Sequence, residues 1–242
     1  MRPITFEFIM DIPESKILNT VDIDSWLADL LAKSREVFGA RLLFLGLQGS
    51  YRRGEATAAS DIDAVTIFDR LEPADLKAFR NIVDSLPYAD KACGFICGRG
   101  ELLNWPKHEI FQLRRETKAY WGDLEELTPE VGREDIVASV KIAAANIYHA
   151  SGHTFVHGRG PAAGEILAGL YKTSFFVLQL LYYLRSGLYI ETRAELLPLL
   201  SGPDREMLMN ALELADGQSD LDLQALWGKI FVWSGAVLNE KF

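Results

Sequence analysis

The chain has 242 residues, 49% of them hydrophobic and 24% charged, the balance of an ordinary globular protein with one large domain or two modest ones. Its net charge of −9 supplies no basic field for a nucleic-acid backbone, which argues against a nucleic-acid partner. The only cysteines, Cys93 and Cys97, are too close along one strand to pair well and read as reduced thiols.

The first stretch, Met1–Asp11, reads as a short strand-like piece. Its apolar run is too brief for a signal peptide and is interrupted by Glu7 and Asp11. Val21–Leu31 reads as an amphipathic helix capped at or beside Asp24 and running toward Phe38-Gly39. Leu42–Gln48 is a predicted strand, Gly49-Ser50 a turn, and Asp61–Phe68 a second strand. Glu72-Pro73 opens a helix that reaches about Ser85. Lys91–Cys97 reads as a third strand and Phe111–Leu113 as a short fourth, ahead of Tyr120-Trp121-Gly122. These elements make a small mixed sheet with helices against it.

Composition changes at Thr128-Pro129. Beyond it the apolar residues recur at helical intervals over Glu134–Ala150, Tyr171–Arg185, Arg193–Leu200, Pro203–Leu214 and Leu221–Leu238. His153–Pro161 reads as a glycine-rich connection, so Gly152 and Gly158 are expected to keep His149, His153 and His157 from lining up on one helix. The most apolar segment, Leu170–Leu188, carries Lys172, Gln179 and Arg185 and is expected to be a buried helix, not a membrane span. Its aromatic stripe (Tyr171, Phe175, Phe176, Tyr182, Tyr183) is expected to pack the bundle core. The fold class is therefore α+β, with a mixed-sheet domain over residues 1–128 and an all-helical bundle over 129–242. The cytoplasm is the expected compartment.

Two features carry chemistry. In a strand, alternate side chains share a face, so Asp61 and Asp63 project together while Ile62 turns into the core. Two carboxylates on one face repel unless a cation lies between them, and Mg²⁺ takes oxygen ligands of this kind alongside substrate phosphates. Gly49-Ser50 supplies the complementary half, because a glycine lets backbone approach a ligand and N–H groups entering a helix favour an anion. Arg52 and Arg53 either reach phosphate or remain solvated loop charges.

Gly49-Ser50, ten residues, then Asp61-Ile62-Asp63 resembles the signature of the polymerase-β-like nucleotidyltransferase superfamily. The order of parts, together with Arg159-Gly160-Pro161, the long aromatic helix, Leu188–Leu197 and the Gly202-Pro203-Asp204 turn, resembles the aminoglycoside nucleotidyltransferases. The resemblance implies that Asp61 and Asp63 hold Mg²⁺. It also implies that Gly49, Ser50 and Arg53 bind ATP or another nucleoside triphosphate, and that a nucleoside monophosphate passes to a hydroxyl of a small molecule such as an aminoglycoside. It implies a general base from the helical half, where His149 is the candidate, and a third metal-binding carboxylate on the third strand. Cys93 or Gly94 falls at that last position, leaving Asp90, Glu101, Glu109 or no residue to fill it. Glu165 and Glu191 are candidates to line a cleft for a cationic acceptor. A homodimer is also implied, with Trp227 and Trp233 as candidate interface material. Two other readings stay open: a protein-adenylylating enzyme of the antitoxin kind, against which the helical half argues, and a nucleotide-binding protein that has lost transfer.

Overall fold

The computed structural model describes residues 21–158, 161–215 and 222–242. The expected N-terminal strand piece, Arg159-Gly160 and the start of the Leu221 helix lie outside them. The chain divides into two compact units, one running to Leu102 and resuming over Thr117–Leu127, the other made of Leu103–Glu116 and Thr128–Phe242.

The first unit holds a four-stranded mixed sheet. Helix α1 (Ile23–Phe38) starts at Asp22, whose carboxylate accepts the Ser25 amide, and stops at Gly39. Strand β1 (Leu42–Leu47) leads into a five-residue helix, α2 (Gly49–Arg53), and β2 (Ile62–Phe68) returns antiparallel to it. Helix α3 (Pro73–Asp84) begins with a reciprocal cap between Glu72 and Asp75. Strand β3 (Ala92–Gly98) then pairs parallel to β2, and α4 (Arg99–Leu103) follows. Strand β4 (Lys118–Trp121) pairs antiparallel to β1, giving the order β3-β2-β1-β4. Trp26, Leu27 and Leu30 of α1 pack with Leu45, Ile62 and Phe68 of the sheet in one buried cluster.

The expected strand at Phe111–Leu113 is instead part of helix α5 (Lys107–Glu116). A three-residue apolar-polar-apolar run fits either period. Adjacent Ile110 and Phe111 are both buried, which strand alternation would not allow with one face wet. Phe111 packs on the Tyr183 ring, at 4.8 Å between centroids, and α5 thereby belongs with the helical unit.

The second unit continues with α6 (Arg133–His157), α7 (Pro161–Ser186), α8 (Arg193–Leu196), α9 (Gly202–Ala215) and α10 (Leu223–Asn239). No strand occurs among its described residues. The expected break near Gly152 is absent, and α6 runs unbroken to His157. A β-carbon at Gly152 would come within 3.2 Å of the Phe231 ring, so this glycine admits a close neighbour from α10 without interrupting the helix. Residues 163–186 of α7 are long and apolar enough to cross a membrane by length and composition. Yet Tyr171, Phe175 and Leu178 are fully buried in the bundle, with Phe176, Tyr182 and Tyr183 half-buried against it. The Tyr171 hydroxyl donates to Leu226 O at 2.9 Å, satisfying the one polar atom this ring brings into the core. Trp227 and Trp233 also lie in this core, so they are not the exposed interface material that a homodimer was expected to use.

Candidate active site

The end of β1 and the start of β2 lie at the same end of the sheet, because the strands are antiparallel with Leu47 opposite Ala64. The ladder closes with Gln48 N–H donating to Asp63 O at 2.8 Å. Gly49 then adopts φ +70°, and a β-carbon there would collide with Asp63 Oδ2. The Asp63 carboxylate therefore lies directly over the backbone of the Gly-Ser turn. Only glycine meets both demands, the left-handed backbone and the space for the carboxylate.

Ile62 is fully buried, Asp63 half-buried and Asp61 exposed, the alternation expected of a strand start with its acidic face outward. A turn over Thr57–Ser60 delivers Asp61, with Ser60 Oγ accepting the Thr57 amide at 2.9 Å. Ser50 stands in the first turn of α2, and its carbonyl accepts the Glu55 amide. Arg53 is not a solvated loop charge: its side chain is 5% exposed and its Nε donates to Glu55 Oε2 at 3.0 Å. The Arg52 head group is likewise buried at Nε and Nη1.

Strand β3 runs beside β2 with Asp63 opposite Cys93 and Ala64 opposite Gly94. Facing residues of a parallel pair project to the same side, so the exposed Cys93 shares the acidic face. Gly94 has no room for any side chain, since a β-carbon would collide with the Ala64 carbonyl oxygen. Asp90 lies just before β3, at the same end as Asp61. Glu101 lies past the other end of β3, with its carboxylate beside Gly98, and there, after burial itself, it helps push the Cys97 thiol pKa up. Seven residues of strand separate the two ends, about 20 Å, so Glu101 does not complete an Asp61/Asp63 cluster. Glu109 belongs to the helical unit, where it accepts the Trp105 indole N–H at 2.6 Å. Among the described residues no cluster of three or more carboxylates, thiols or imidazoles suited to a metal is formed.

Sequence reasoning missed the contribution of β4. Leu47 faces Lys118, and Gln48 Nε2 donates to Thr117 Oγ1 at 2.8 Å, so the start of β4 and Thr117 just before it border the Gly-Ser turn. Reading Phe111–Leu113 as the fourth strand hid this, because it assigned the sheet edge to the wrong residues. His149 stands on the exposed face of α6 in the helical unit, 5.8 Å between ring centroids from His153. Glu191 is exposed, and its carbonyl accepts from the buried Gln179 side chain. Glu165 is an exposed residue of α7.

Residues 32–138 match the family model described as nucleotidyltransferase domain, a span that contains the Gly-Ser turn, both aspartates and all four strands. Over that span the chain resembles a nucleotidyltransferase domain. Among solved structures, its fold is similar to that of spectinomycin adenyltransferase AAD(9) from Enterococcus faecialis, solved with ATP and spectinomycin. That match has a TM-score of 0.59 at 12% identity, over 90% of this chain and 99% of the other. A mixed-sheet unit and a helical unit in this order are thus a fold that the two chains share. No curated protein matches the sequence.

Proposed function

We propose that this protein is a Mg²⁺-dependent adenylyltransferase that moves AMP from ATP onto a hydroxyl of a small molecule, in the manner of antibiotic-modifying enzymes. The observation that carries this reading is the seating of the Asp63 carboxylate over the Gly49 backbone, which joins an anion-binding turn to an acidic strand start. The enzyme of similar fold holds ATP and spectinomycin, which makes an aminoglycoside or aminocyclitol hydroxyl the first acceptor to test.

The donor set suits one hard cation. Asp61 and Asp63 offer carboxylate oxygens, whereas the sulfur of Cys93 is a soft donor and a poor partner for Mg²⁺. Bound at the aspartates, Mg²⁺ would supply neutralisation of the triphosphate charge as it grows at the leaving oxygen. The chain's own residues do the rest. The Gly49-Ser50 turn presents N–H groups and a hydroxyl to the triphosphate, and Arg53 lies beside it. The acceptor oxygen forms a bond to the α-phosphorus as the bond to pyrophosphate breaks. The acceptor's proton passes to a general base, for which the His149 imidazole is our candidate. Nothing in this chemistry needs a membrane or a nucleic acid, and we assign it to the cytoplasm. A homodimer now rests on the resemblance alone, and a sedimenting mass near the 27.1 kDa of one chain would exclude it.

The test is pyrophosphate release from ATP with Mg²⁺ and a panel of aminoglycosides and aminocyclitols including spectinomycin. Release that depends on one acceptor supports the proposal. No release with any acceptor and any of the four common triphosphates overturns it. One observation favours a second reading, a nucleotide-binding protein with slow or absent transfer: Cys93, not a carboxylate, is the residue opposite Asp63. If that reading holds, ATP with Mg²⁺ raises Tm without turnover, and Cys93→Asp tightens Mg²⁺ binding by about tenfold or less.

A further inference from the structure

Helix α6 continues through Gly152, and this brings three imidazoles onto one exposed stripe. His149, His153 and His157 are spaced four residues apart, so each ring lies one turn above the last. Ring centroids are 5.8 Å apart between His149 and His153, and 4.9 Å apart between His153 and His157. The opposite side of this turn of α6 is anchored, because Ile147, Ser151 and Thr154 are buried.

We propose that His153 and His157 form a two-residue chelate for a borderline divalent transition ion such as Ni²⁺ or Zn²⁺, separate from the acidic site. Neutral imidazole is the donor such ions prefer, at about 2.0–2.1 Å from nitrogen to metal. Adding roughly 1.1 Å from nitrogen to ring centre, two rings on one ion stand about 4.5 Å apart at a right angle and about 5.2 Å apart at a tetrahedral angle. The 4.9 Å of the His153–His157 pair falls between these values, while the 5.8 Å of His149–His153 lies outside them. No cluster of three potential ligands exists among the described residues, so the chain supplies two donors and water the others. Two histidines on successive turns of a helix are the same chelating unit that zinc-binding helices use. Mg²⁺, which selects oxygen, is not a ligand for this pair, and the aspartates are not needed for it.

The experiment is calorimetric titration of the untagged full chain carrying Asp61→Asn and Asp63→Asn with Ni²⁺, Zn²⁺ and Mg²⁺ separately. The expected result is about one Ni²⁺ or Zn²⁺ per chain and no Mg²⁺. Affinity should fall at least about tenfold on His153→Asn or His157→Asn, as loss of one arm of a chelate requires, and stay within about twofold on His149→Asn. All three positions are exposed, and unchanged circular dichroism confirms that the variants fold. Binding that survives both His153→Asn and His157→Asn, or that is lost on His149→Asn but not on His157→Asn, overturns the assignment, as does a parent chain that takes up neither ion.

Discussion

The two ends of the sheet in the first unit are built for different purposes. At one end, β1 leaves through Gly49 and β2 enters through Asp61 and Asp63, with polar groups half-buried or exposed and a thiol alongside. At the other, Phe68 is fully buried between the rings of Phe38 at 4.6 Å and Phe79 at 5.7 Å. There Arg41 clamps the chain by donating to Asp69 and, through two nitrogens, to Asp75 at 2.9 and 2.8 Å. The same two strands thus run from an end where charge is kept available to an end where charge is used up in fixing the fold. Substitutions at the first should cost function more than stability, and at the second the reverse.

The largest effect expected is on chemistry. Asp63→Asn should lower Mg²⁺-dependent turnover by at least about a hundredfold, the few kcal/mol that metal stabilisation contributes to a transition state. Tm should change little, because the half-buried carboxylate is replaced by an amide of the same size. Steady-state pyrophosphate release and a thermal melt on one preparation check both halves. Turnover within a few-fold of the parent would remove Asp63 from the metal role and break the contrast between the ends.

Phe68→Ala probes the opposite end. Truncating a fully buried aromatic that packs on two others should cost about 3–5 kcal/mol in urea unfolding, while nucleotide affinity per folded molecule stays unchanged. A variant that loses nucleotide binding while still folded would show that the two ends are coupled along the strands. Between these lies Gly49→Ala, where both penalties meet. The φ of +70° alone costs a β-carbon about 1–3 kcal/mol, and the collision with Asp63 Oδ2 pushes the carboxylate away. Loss of the ATP-and-Mg²⁺ shift in Tm, beyond the drop in the unliganded Tm, is the expected sign.

How much of this was legible beforehand follows the same division. The alternation of Asp61, Ile62 and Asp63 at the start of β2 was readable, because an apolar residue between two carboxylates can turn to only one face of a strand. The strand order was not, because pairing β4 with β1 depends on where α5 ends, and Ile110-Phe111-Gln112-Leu113 carries no period long enough to choose between helix and strand. The helix through Gly152 was misjudged for another reason. Local propensity disfavours glycine there, but the ring of Phe231 on α10 occupies the space a side chain would take, and that contact is invisible from α6 alone. The sequence reading left Cys93 or Gly94 at the third-carboxylate position, and the pairing sets Cys93 opposite Asp63 because β2 and β3 have equal length and pair without a register shift.

The smallest effect sharpens the description of the clamped end. Hydrogen bonds from the Arg41 guanidinium, and then from the Glu72 amide, hold the Asp75 carboxyl below its ordinary range, at about 2. A carboxyl depressed in the folded state stabilises it fully above the unfolded pKa, about 4, and loses that contribution as pH falls toward 2. The parent should therefore exceed Asp75→Asn in stability above pH 4, with the gap closing between about pH 4 and pH 2. Thermal melts of both proteins across that range measure the gap directly. Its size will be modest, since Arg41 and Asp69 are partly open to solvent and added salt screens the attraction. A gap absent at every pH would mean that Asp75 acts only through its cap on α3, where an amide serves nearly as well, and that the clamp is held by Asp69 and the Arg70 carbonyl instead.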